Sequence, residues 1–148
     1  MIQATCLLLT TRRNRVGEPE TVVLDSSVGV KWIKPEAGRD EALELLRSHR
    51  DGTGRIVVAA HFLHEVVAVA VRHGGPALGR RTWHALSSAR LTTIGLDDRL
   101  ADAALAQCEL LGCTFYDALA PALAAELGAT LCSADARAHS RVEGVRLI

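Results

Sequence analysis

The sequence predicts an α/β fold with a largely parallel sheet covered by helices on both faces. Three observations predict it. Short β-branched apolar runs alternate with stretches of helical periodicity along the whole chain, the pattern of strand–helix–strand units. The runs are short and apolar, as strands covered on both sides are. The chain has 148 residues, 49% of them hydrophobic, enough for one domain with a real core and too apolar for disorder.

Residues 1–20 read as an extension outside that pattern, loose in character, ending in a polar stretch with Gly17 and Pro19. The domain proper is expected over residues 21–148. Thr21 to Leu24 is a buried-strand signal ending at Asp25, with Ser26 and Ser27 as caps for the helix that follows. Residues 39–50 place Ala42, Leu45 and Leu46 on one helical face. Asp51 to Gly54 is a turn, and residues 55–58 form the second strand. An apolar helix runs from His61 to Arg72, closed by Gly74, Gly75 and Pro76, and another from about 77 to 89. Residues 91–96 form strand three. Asp97 caps a helix stopped at Gly112, and a helix from about Tyr116 is stopped at Gly128. Residues 129–132 and 145–148 are the last two strands, with a helical turn over 135–139 between them.

Composition removes several classes of function. The formal net charge is zero, so a charge-driven nucleic-acid coat is excluded and any nucleic-acid contact must be local or assisted by a cation. Aromatic residues are 3%, too few for a platform on which successive bases stack. Cys6, Cys108, Cys113 and Cys132 have no zinc-finger or C-x-x-C spacing and read as reduced thiols. No apolar run approaches the ~20 residues that span a bilayer. The basic cluster Arg12, Arg13, Arg15 follows the short apolar start, whereas a secretory signal has its basic part first. A soluble cytoplasmic protein is expected.

Four acids stand apart from the solvated helix faces. Asp25 and Asp135 each follow a buried strand, where ligands collect in open α/β sheets; each also reads as a helix cap. Glu65 is followed by six apolar residues and has no basic residue three or four places away. A carboxylate on such a helix needs a partner, and a bound cation is one; the bland reading is an exposed stripe. Asp117 lies at or just before a helix start, because Pro121 is tolerated only near one; its bland role is the N-cap. Ser133 stands two residues before Asp135, where it can orient a carboxylate or a bound water. If the four acids converge they repel one another, and a hard divalent cation relieves that repulsion.

In Val-Val-Leu-Asp25-Ser-Ser-Val, Glu65-Val-Val, Phe-Tyr-Asp117-Ala-Leu-Ala and Leu-Cys-Ser-Ala-Asp135, taken in order, the chain resembles the PIN-domain family over about residues 22–148. The resemblance implies a three-layer α/β/α fold and a Mg²⁺- or Mn²⁺-dependent endoribonuclease. By it Asp25, Asp117 and Asp135 are metal ligands, Glu65 is catalytic directly or through a water, and Ser26 and Ser133 support them. Small members of the family are commonly VapC-type toxins that cut structured RNA such as tRNA or rRNA, pair with a cognate antitoxin and form homodimers. A housekeeping or repair nuclease on the same fold is the nearest alternative. A silent PIN-like binding module is the other, and retention of all four acids speaks against it. The chain departs from the family pattern in having Ala59, Ala60 and His61 where a proline is frequent, which leaves the start of the Glu65 helix open.

Other signals carry less. His61 and His64 lack the order of a zinc-protease motif and read as ordinary histidines. Arg80 and Arg81 read as a solvated face, and Trp32 and Trp83 as packing residues or partner anchors.

Overall fold

A computed structural model of the chain describes residues 17–148. The elements follow in the order β1 (Glu20–Leu24), α1 (Ser26–Ile33), α2 (Arg39–Asp51), β2 (Gly54–Ala59), α3 (Ala60–Ala89), β3 (Thr92–Ile94), α4 (Asp98–Leu111), α5 (Phe115–Leu127), β4 (Thr130–Ser133), α6 (Ala136–His139) and β5 (Arg146–Leu147). The expected N-terminal extension falls mainly outside the described residues, as do Cys6 and the Arg12, Arg13, Arg15 cluster. Its last residue, Glu20, already belongs to β1.

The strands form one sheet in the order β3-β2-β1-β4-β5, and every neighbouring pair is parallel. The chain therefore builds outward from β1 to one side, then crosses to the other. The reversal lies between β1 and β4, where Leu24 pairs with Cys132 and the Asp25 N–H donates to the Cys132 carbonyl at 3.0 Å.

The two-residue period of β1 divides its side chains between two cores. Val23 faces a core with Leu131 of β4 and the alanine-rich α5. Val22 and Leu24 face the opposite core with Ile56, Val58, Phe62 and Val66. Helices thus cover both faces, and the three-layer α/β/α arrangement is the one expected. Gly29 lets α1 approach α3 closely: a Cβ there would stand 2.6 Å from both Phe62 Cζ and Val66 Cγ2. The two helices expected over 61–89 run as one segment that breaks at Gly74 and Gly75, where Gly75 takes φ 72°. Without a Cβ that backbone carries no steric penalty.

Trp32 packs as expected, edge-on to Phe62 with its Nε1 donating to the Ala42 carbonyl at 2.8 Å. Trp83 does not; it is 48% exposed. Among the described residues no single helix is long and apolar enough to cross a membrane.

Candidate active site

Parallel strands put all their carboxyl ends on one edge of the sheet, and the helices that follow begin there. Asp25 follows β1, Asp135 follows β4 by two residues, and Asp117 lies in the first turn of α5. Glu65 is on the early part of α3. All four carboxylates line one cavity of about 350 Å³, together with Ser26, Ser27, Arg72 and Tyr116.

Asp25 and Asp135 are both helix caps, one of the two readings each allowed. Asp25 itself, rather than Ser26 or Ser27, caps α1: its Oδ2 accepts from the Ser27 N–H at 3.1 Å and the Ser27 hydroxyl at 2.5 Å. Ser27 Oγ also accepts from the Ala134 N–H at 2.9 Å. One hydroxyl therefore ties the acid after β1 to the backbone after β4. Ser26 is free to donate to Glu65 Oε2. This bond explains how a carboxylate on an apolar helix is held, since its own helix offers no basic neighbour.

Asp117 is not the N-cap of α5. Thr114 is, with its Oγ1 accepting the Asp117 N–H at 3.2 Å and donating to Asp117 Oδ2 at 2.8 Å. The Thr114-Phe-Tyr-Asp117 spacing is a capping signature that sequence reading passed over. Pro121 stands four residues beyond Asp117 and has no N–H, so the Asp117 carbonyl lacks its helical donor. His139 Nε2, 2.7 Å away, supplies one. A carbonyl only accepts, so Nε2 carries the proton. Nδ1, 2.7 Å from Ser133 Oγ, then accepts from that hydroxyl in the neutral ring. Ser133 Oγ also accepts from the Asp135 N–H at 3.0 Å, and Asp135 Oδ1 caps α6 by accepting from the Ala138 N–H at 3.1 Å. Ser133 and His139 are fully buried. Ser133 thus holds the backbone of the segment bearing Asp135, and not the carboxylate itself. Thr114 and His139, which hold Asp117, are given no role by the sequence reading, and Ser27 only that of a helix cap.

No ion pair among the described residues involves any of the four acids. Among the described residues Arg72 is the one basic residue lining their cavity. Beside it, burial pushes the His61 imidazole below its usual value, while Glu65, Asp25 and Asp117 pull in the other direction. Among the described residues no three His, Cys, Asp or Glu side chains converge closely enough to enclose an ion by themselves. The donor chemistry nevertheless fits a hard divalent cation. It is all oxygen and rich in carboxylate, and Mg²⁺ typically keeps several waters and takes only one or two carboxylates directly. Asp25, Glu65, Asp117 and Asp135 supply the carboxylate oxygens of that lining. Arg80 and Arg81, by contrast, do not line this cavity; Arg81 borders an apolar groove between α1, α2 and α3.

The sequence model of the PIN domain matches residues 22–145. No curated protein sequence matches the chain. Among solved structures, the chain is similar to a toxin–antitoxin complex from Klebsiella pneumoniae, at 18% identity and TM-score 0.67, covering 84% of this chain and 94% of that one. It is similar to VapC20 of Mycobacterium tuberculosis, described as a sarcin–ricin-loop-cleaving toxin, at 16% identity and TM-score 0.63, covering 84% and 98%. It is also similar to DNA-bound VapBC from Salmonella typhimurium, at 18% identity and TM-score 0.65, covering 87% and 97%. At these identities the likeness is one of fold.

Proposed function

This chain belongs to the PIN-domain family, and on that premise we propose that it is a metal-dependent endoribonuclease, the toxin half of a VapBC-type toxin–antitoxin pair. The observation that carries the reading is the meeting of Asp25, Glu65, Asp117 and Asp135 in one cavity, none of them neutralised by an ion pair among the described residues. Four carboxylates repel a phosphate unless a cation stands between them.

In this reading Asp25, Asp117 and Asp135 hold Mg²⁺ or Mn²⁺, and Glu65 joins directly or through a water. When bound, such a cation polarises the phosphate and lowers the pKa of water for in-line attack. The chain's residues do the rest. Ser27 and Thr114 fix the Oδ2 atoms of Asp25 and Asp117. Glu65, held through Oε2 by Ser26, keeps its other oxygen to take a proton from the attacking water. Arg72, on the wall of the cavity, offers a guanidinium to a phosphate oxygen.

The substrate is structured RNA, tRNA or rRNA, and the partner is a cognate antitoxin in the cytoplasm. A neighbour described as a toxin–antitoxin complex supports the antitoxin, and one described as a sarcin–ricin-loop-cleaving toxin supports the RNA substrate. A homodimer fits the exposed Leu105, Leu110 and Leu127 of α4 and α5, apolar surface that a second copy would cover. The test is expression with and without the adjacent reading frame, followed by mapping of RNA ends. Growth arrest with new RNA ends only in the absence of the neighbour is expected. Unchanged RNA in both arms overturns the proposal.

A further inference from the structure

A second cavity, of about 240 Å³, lies beside the acids, lined in part by His61, His64, Ile94, Leu96, Phe115 and Tyr116. Tyr116 also lines the acid cavity, so the two adjoin across its ring. Among the described residues no acid lines this second cavity. Two of its apolar side chains are left in solvent: Tyr116 is 62% exposed and Leu96 58%. In a chain with five aromatic residues other than histidine, the single tyrosine stands exposed next to the acids. The His61 and Tyr116 rings lie 6.0 Å apart at 44°, and Phe115 meets Tyr116 edge-on at 6.5 Å. His61 Nδ1 is buried with no hydrogen-bond partner among the described residues, a polar group left unspent.

We propose that this cavity is a subsite for one unpaired nucleobase of the RNA, stacked on Tyr116 and met at its edge by His61 and His64. The proposal rests on the nuclease reading above and deepens it. Sequence-selective proteins take bases from single-stranded loops by splaying them onto aromatic rings and bonding their edges. A flat ring, an apolar floor and two imidazoles provide both halves of that recognition. The position is the one required, because a base next to the scissile phosphate lies one nucleotide from the acids. A one-base subsite also needs no run of aromatics, which this composition excludes. An apolar side chain of a protein partner would use the floor but leave the two imidazoles without purpose.

The test uses the full chain with Mn²⁺ and a pool of RNA hexamers differing at each position. Tyr116→Ala is expected to lower kcat/KM roughly ten- to hundredfold on the preferred hexamers and to level the preference for the base beside the cut, while Tyr116→Phe retains both. Independently of any variant, an uncleavable 2′-O-methyl hexamer should move the imidazole NMR resonances of His61 and His64 and leave His84 still. Cleavage whose rate and base preference survive Tyr116→Ala, or imidazoles that stay put on titration, overturns the subsite. So does their movement only when the antitoxin is added, which makes the cavity a protein anchor. Imidazoles that respond to the hexamer in a chain that cuts no RNA would uphold the subsite and defeat the nuclease reading alone.

Discussion

The two edges of the sheet carry opposite charge arrangements. At the amino-terminal edge a cavity of about 200 Å³ is lined by Glu20 and Glu44 but also by Arg55 and Arg146. Glu44 is bridged to Arg47 at 3.0 Å. At the carboxyl-terminal edge four carboxylates line the cavity against Arg72 alone among the described residues. The first is the ordinary condition of a protein surface, where opposite charges intermix. The second is a repulsion that the fold maintains with hydroxyls: Ser26 on Glu65, Ser27 on Asp25 and Thr114 on Asp117. Parallel topology explains which edge is which. The helices that follow the strands begin at the carboxyl-terminal edge, and helix N-termini favour negative charge there.

The sharpest way to break this comparison is to remove one acid at each edge. Asp25→Asn and Asp117→Asn should lower Mn²⁺-dependent RNA cleavage by roughly 10²–10³-fold or more, the scale of losing one group that stabilises the transition state. Asparagine caps α1 as well as Asp25 does, and α5 keeps its Thr114 cap in the Asp117 variant, so the thermal midpoint should hold. Glu20→Gln at the other edge should leave the rate alone. An equal loss from Glu20→Gln would erase the distinction.

A smaller effect probes the scaffold beneath the acids. His139→Phe strands the Asp117 carbonyl that Pro121 has already deprived of its donor, at a cost of about 1–3 kcal/mol in urea denaturation. Mn²⁺ affinity should weaken roughly ten- to hundredfold, the scale of losing a group that orients a ligand, and His139→Gln should recover part of it. Lost stability with Mn²⁺ binding intact would reduce His139 to a packing residue.

The smallest effect concerns Cys132 inside the sheet between the two edges. Burial pushes its thiol up to about 11 from 9.0. Peptide mapping after iodoacetamide at mildly alkaline pH should find Cys132 unmodified in the folded chain and modified in urea. The neutral thiol is favoured in the fold, so its contribution to stability is whole below pH 9.0 and is lost between pH 9.0 and about 11. Cys132→Ala should flatten that alkaline limb. A limb unchanged by the substitution would assign it to other groups.

Much of the fold was legible because it rests on local rules. Five apolar runs became five parallel strands, and the glycine stops at Gly112 and Gly128 fell where backbone sterics demand them. Boundaries moved where tertiary pairing decided them: the expected strand over 91–96 shrank to Thr92–Ile94, the length that pairs with β2. Glu65 was legible because it broke a local expectation, and Asp25, Asp117 and Asp135 by their places at strand ends and a helix start. Asp117 is the third residue of α5 rather than its cap, because Thr114 takes that role.

What the sequence determined by itself is the order of strands and helices and which four carboxylates stand apart from the solvated helix faces, since periodicity, capping and the cost of isolated charge act over a few residues. What only the tertiary structure decided is the support beneath them. Ser27 reaches Ala134 across 107 positions and His139 reaches Asp117 across 22. Bonds of that span depend on which strands become neighbours, and strand order is set by packing the whole sheet between its two layers of helices.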